Sequence, residues 1–150
     1  MTDLATRITL RRSVARRTRA FLARQGYAPE IHDEDCRFPV LSIRHEGTRF
    51  LVQLDERDDD FFQLSLRYRL PEPRPAELTV LRLVHELQHE HKVVKVWLGP
   101  ERSFVEFQAP LFLGGRRLGT DLLQRCIALL RHTAGEFSDR MWAAVPHAQA

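Results

Sequence analysis

The sequence predicts an α+β domain, an antiparallel sheet with helices packed on it, in the order helix, three strands, helix, two strands, helix (α-β-β-β-α-β-β-α). Three observations carry this. Apolar residues recur at helical spacing in the first, middle and last segments, and strict period-2 alternation fills the stretches between them. The connections between the strands are also too short for a parallel crossover, which needs a dozen or more residues.

In the first segment Leu4, Ile8, Leu10, Val14, Ala15, Phe21 and Leu22 fall within an arc of about 160° on a helical wheel. Arg12, Arg16, Arg17, Arg19 and Arg24 take the other side, and Gly26 stops the helix. Leu41 and Ile43 then alternate with Ser42 and Arg44, and Glu46-Gly47-Thr48 supplies a tight turn. Phe50, Val52 and Leu54 form the next strand, and the run Asp55–Asp60 is a solvated turn. The clearest alternation follows, Phe62, Leu64, Leu66 and Tyr68 against Gln63, Ser65, Arg67 and Arg69. Pro71, Pro73 and Pro75 end the strand and lead into a second helix, with Val80, Leu83, Val84 and Leu87 at i, i+3, i+4 and i+7 and its end near His91. Strands at Val93–Leu98 and Ser103–Ala109 are joined by the turn Gly99-Pro100-Glu101-Arg102. Gly114-Gly115 marks a loop, with Thr120 as N-cap and Asp121 as first-turn acid of a closing helix. In that helix Leu123, Cys126, Ile127, Leu130, Ala134, Phe137 and Met141 hold the period.

A chain of 150 residues, 43% hydrophobic and 29% charged, suits a single globular domain over 1–150. Its core is expected over about residues 4–141, with the tail from Pro146 frayed. No apolar run is long enough to span a bilayer. Cys36 and Cys126 form no CxxC pair, which argues against a disulfide framework or a cysteine zinc site and for a reducing, cytoplasmic setting.

The net charge is +3, but residues 1–25 hold seven arginines against Asp3, so the other 125 residues sum to −3. The basic character belongs to the first segment. An Arg-rich, acid-poor start also resembles a mitochondrial transit peptide, but the expected reading is the domain's first helix. Its arginines, Arg12, Arg16 and Arg17 among them, could bind nucleic acid through phosphate contacts, but with no aromatic residues interleaved for base stacking they are expected to form a solvated face, without nucleic acid as partner. Gly114–Gly119 lacks the Lys-Ser/Thr of a phosphate-binding loop and is read as a turn.

The sharpest motif is His85-Glu86-Leu87-Gln88-His89. Two His at i and i+4 share a helix face and can ligate one zinc, while the Glu activates the bound water, so a small zinc hydrolase is the alternative function. On the wheel, however, both His lie about 140–180° from Val80, opposite the apolar stripe, and are expected to face water. A third ligand is required, and Glu101, Glu106, His132 and Glu136 are candidates without diagnostic spacing. No metal or other cofactor is expected, and no catalytic nucleophile arrangement is recognisable. Asp58–Asp60 sit on an expected hairpin tip, too exposed for useful pKa shifts.

A binding surface is more legible. Val94, Val96 and Leu98 share one face of their strand, with Val93, Lys95 and Trp97 on the other, and Phe104 lies opposite Val105 and Phe107. Once the first face packs on helices, Val93, Trp97 and Phe104 form an apolar patch on the open face of the sheet.

The stretch LRLVHELQHEHKVVKVWLGPERSFVEFQAPLFLGG, with the closing helix TDLLQRCIALLRHTAGEF, resembles the YbjN-like proteins and, more distantly, the type III secretion chaperone-like fold. The resemblance rests on a helix running directly into the Lys92–Leu98 strand, a polar turn, the Phe104–Leu113 segment and the last helix. It implies the element order given above, common dimerisation, and a non-enzymatic module that binds a protein partner or itself, in a chaperone or regulatory role.

Overall fold

The computed structural model describes residues 15–32, 40–54, 61–112 and 119–145. Helix α1 occupies residues 15–24. It is followed by β1 (Glu30–His32), β2 (Val40–His45), β3 (Thr48–Leu54), β4 (Phe61–Arg69), α2 (Glu77–Glu90), β5 (Lys95–Leu98), β6 (Phe104–Phe112) and α3 (Thr120–Ala144). The strands form one six-stranded antiparallel sheet in the order β1-β2-β3-β4-β6-β5. This is the predicted α+β order with one addition, the three-residue β1, which pairs along β2 from Glu30↔Ser42 to His32↔Val40. The expected acidic turn at Asp55–Asp60, the Gly114-Gly115 loop, the frayed tail and the part of the first helix before residue 15 lie outside the described residues.

The chain divides into two compact units, one of Met1–Ser65 with Pro110–Leu123, the other of Leu66–Ala109 with Gln124–Ala150. In the first, β2 and β3 form a hairpin in the register His45↔Thr48 through Val40↔Gln53. Its two turn residues, Glu46 (φ 47°) and Gly47 (φ 77°), are both left-handed. That is the two-residue turn whose twist matches the strands, and glycine is favoured there because it bears no Cβ. Leu41, Ile43, Phe50, Val52, Phe62 and Leu64 bury the alternate positions of the strands, and Ala15 and Leu22 of α1 are buried as well. α1 ends as its sequence predicts. With Gly26 at φ 85°, its N–H bonds the Ala23 carbonyl at 3.0 Å and the Tyr27 N–H bonds that of Leu22 at 3.2 Å, which satisfies two carbonyls of the last turn. Thr120 is not the cap of α3. It lies inside the helix, and its hydroxyl donates instead to Gln25 Oε1 at 2.7 Å, while Asp121 is the first-turn acid as expected.

In the second unit α2 buries Val80, Leu83, Val84 and Leu87, the predicted stripe, and stops at Glu90 with the His91 N–H on the Leu87 carbonyl. From α3, Cys126, Ile127, Leu130, Ala134, Phe137 and Met141 are buried. Phe137 anchors a ring cluster, edge-on to Phe107 at 5.8 Å and to Tyr68 at 5.5 Å. The Tyr68 and Ser138 hydroxyls meet at 3.1 Å, so the phenol keeps a polar partner. At the β5–β6 turn the Arg102 N–H bonds the Gly99 carbonyl at 2.8 Å and the Gly99 N–H bonds that of Phe104 at 2.9 Å. A Cβ on Gly99 would stand 2.5 Å from the Phe104 ring, so a side chain there would have to displace that ring. β5 starts at Lys95, two residues later than expected, and β6 starts one residue later and ends three later. The β5–β6 ladder begins at Lys95↔Gln108.

Candidate functional site

Period 2 makes β5 and β6 two-sided. Val96, Val105, Phe107 and Ala109 are buried on one side, and Lys95, Trp97, Phe104, Glu106 and Gln108 take the other. Pairing Lys95↔Gln108 and Trp97↔Glu106 sets these outward side chains beside one another. Trp97 is 49% exposed and Val93 56%. Trp97 and Phe104 therefore stand on the face the sequence assigned them, whereas Val93 lies in the turn before the strand.

The same face carries a polar network absent from the sequence reading. Arg67 of β4 donates through Nε to Glu106 Oε2 at 3.0 Å, and Gln108 Nε2 donates to Glu106 Oε1 at 3.1 Å. The Glu106 side chain is almost wholly covered, and both its oxygens are engaged, as a buried carboxylate requires. The Arg67 guanidinium also lies 4.8 Å from the centre of the Phe104 ring, a cation–π contact that half-covers it. Lys92, Lys95 and Arg69 are exposed in the same unit. The face of the β5–β6 ribbon thus combines an accessible indole with the basic side chains of Lys95 and Arg67.

The other predicted site separates on inspection. His85, Glu86 and His89 all lie on the exposed side of α2. Among the described residues, the group of three whose ligand atoms lie within 4.8 Å of one another is Glu90, His91 and Glu136, and neither His85 nor His89 belongs to it. Of the third ligands considered, Glu106 is held by Arg67, and Glu136 by His91 at 2.9 Å and by Arg140.

That group is already served by a cation. Arg140 of α3 reaches Glu90 through both Nη atoms, at 3.1 and 2.6 Å, and bonds Glu136 one turn away. The hydrogen bond from Arg140 holds the Glu90 carboxyl below its ordinary value, and the same bond raises the guanidinium. His132 packs edge-on to His91 at 6.2 Å. The arrangement is an ion-pair clamp between the end of α2 and α3.

Of the remaining candidates, Arg16, Arg17, Arg19 and Arg24 are exposed on α1, and Arg12 lies outside the described residues. Burial raises the Cys126 thiol above its ordinary value, which disfavours the thiolate that a nucleophile needs. Cys36, Asp58–Asp60 and most of Gly114–Gly119 lie outside the described residues. No helix among the described residues is long and apolar enough to cross a membrane.

A family model described as "YbjN: Putative bacterial sensory transduction regulator" matches residues 17–141. The fold is similar to the crystal structure of YbjN from E. coli at TM-score 0.55 and 12% identity, over 82% of this chain and 87% of that one. It is also similar to the crystal structure of a protein from Methanothermobacter thermautotrophicus, at TM-score 0.57 and 13% identity, over 87% of this chain and 95% of that one. No match was found among curated proteins.

Proposed function

Because the chain belongs to the YbjN family, we propose that it is a cytoplasmic regulator that catalyses nothing and works by binding another protein through the open face of β5 and β6. The family's description supports the regulatory part of this reading. The observation that carries the binding part is the contrast across one ribbon, with Val96 and Phe107 fully packed on one side and Trp97 left half-exposed on the other. A large exposed indole is the kind of anchor that dominates protein interfaces. With Lys95 on the same face of its strand, the surface suits a partner segment that presents an apolar side chain beside acidic ones. A chaperone role toward such a segment is the same binding put to another use. A second copy of the chain is the competing occupant.

The test is selection from a displayed library of random 15-residue peptides by the full chain. The reading expects enriched peptides with an apolar anchor flanked by Asp or Glu, bound about 30-fold more weakly by Trp97→Ala and clearly more weakly by Lys95→Glu. Enrichment of nothing, or of peptides indifferent to both changes, would refute it. Light scattering run alongside identifies a second copy as the occupant if a dimer forms and Trp97→Ala dissolves it.

A further inference from the structure

Helix α1 carries a separate surface that the β5–β6 face does not explain. Its exposed positions are Arg16, Arg17, Arg19, Ala20, Ala23 and Arg24. The sequence contains no acidic residue from Leu4 to Pro29. The four arginines span an arc of about 160° on the wheel that excludes the buried Ala15 and Leu22. Among the described residues none of them meets a carboxylate, whereas Arg67, Arg74, Arg102 and Arg140 each do. A face that only needed solvation would mix its signs. Here Arg16 and Arg19 stand three apart and repel each other on their own helix.

We propose that this face binds the phosphate backbone of double-stranded nucleic acid without reading its sequence. The proposal departs from the sequence expectation of a solvated face because all four arginines are exposed and, among the described residues, none of them meets a carboxylate. A row of cations needs a polyanion, and planar guanidinium forks grip phosphate oxygens two at a time. Ala20 and Ala23 between them are too small to hold a duplex off.

Two other polyanions fit less well. An anionic membrane takes up a basic helix by burying its apolar face, and the buried Leu22 and Ala15 of α1 are already spent on the protein's own core. A single strand is held by bases stacked on exposed rings, and the exposed positions of α1 carry none. Duplex backbone, which asks only for positive charge along a ridge, remains.

The experiment is fluorescence anisotropy of the full chain with a labelled 20-base-pair duplex of mixed sequence between about 50 and 200 mM salt, with oligo-dT of the same length and phosphatidylserine vesicles as parallel probes. Four phosphate contacts predict that log K falls with log salt with a slope of about −3.6 or steeper. Combining Arg16→Gln, Arg17→Gln, Arg19→Gln and Arg24→Gln should flatten the slope by about that amount and weaken binding at least tenfold at about 100 mM salt. The corresponding four Arg→Lys changes should restore most of the affinity. Circular dichroism and a thermal melt establish that each variant is folded. The proposal is overturned by an absence of duplex binding at the lowest salt, by a glutamine variant that binds as tightly as the parent, or by binding to vesicles or oligo-dT in preference to the duplex. Binding unchanged from low to high salt overturns it equally.

Discussion

Helix α1 buries Ala15 and Leu22 and turns Arg16, Arg17, Arg19 and Arg24 outward, and among the described residues no acid meets them. Helix α2 buries Val80, Leu83, Val84 and Leu87 and turns charge outward too, but its three carboxylates are occupied. Glu77 pairs with Arg102, and Glu90, with Glu86 at longer range, pairs with Arg140 of α3. Both helices are amphipathic, and a composition count makes them equally charged surfaces. The difference is whether the partner of each charge lies inside the protein. For Glu77, Glu86 and Glu90 of α2 it does, so those charges belong to the fold. For the α1 arginines no such partner lies among the described residues, which is what suits them to another molecule.

The comparison can be tested by asking how much each side chain contributes to stability. The largest effects should come from the buried stripes. Leu22→Ala and Leu87→Ala, both fully buried, should each cost about 2–5 kcal/mol in urea denaturation. If Leu22→Ala cost less than about 1 kcal/mol, α1 would not be anchored as α2 is, and the comparison would fail at its base. Next comes the clamp. Arg140→Ala, which strips the cation from Glu90 and Glu136, should lower stability by much less than either core truncation, since the pair is open to water.

The pH dependence sharpens this. Glu90 has a depressed carboxyl pKa in the folded protein, so its pairing contributes fully above the ordinary carboxylate value of 4.5 and is lost as pH falls through the lower folded value. The melting temperatures of the parent and Glu90→Gln should therefore differ at pH 7 and converge as the pH is taken below the folded value. A gap that persisted in acid would mean that packing, not charge, holds Glu90. The smallest effect is expected at α1, where each Arg→Gln change should shift stability by less than about 0.5 kcal/mol. A larger loss would reveal a structural role for those arginines.

Local pattern made most of the elements legible. The alternation from Phe62 to Tyr68, the stripe on α2 and the Glu46-Gly47 turn depend on residues close in sequence, and each is found where the pattern put it. What needed distant partners was not legible. β1 is three residues long and exists by virtue of its pairing to β2. β6 lies between β4 and β5, and only that order brings Arg67 to Glu106 across 39 positions. The hydroxyl of Thr120 finds Gln25, 95 residues away, in place of its expected capping role. The clamp joins His91 to Glu136 across 45 positions, and nothing in either local sequence announces it. At the candidate site the apolar pair Trp97 and Phe104 followed from parity alone, while the carboxylate and guanidinium beside it depended on the strand order.

The claim on which the functional reading turns is that the outward indole of β5 is a recognition anchor. It is tested most directly by the affinity of a library-selected peptide for the parent chain and for Trp97→Ala, measured by calorimetry on protein shown to be equally folded. A loss of about 30-fold is the predicted result; equal affinity for the two proteins would contradict it.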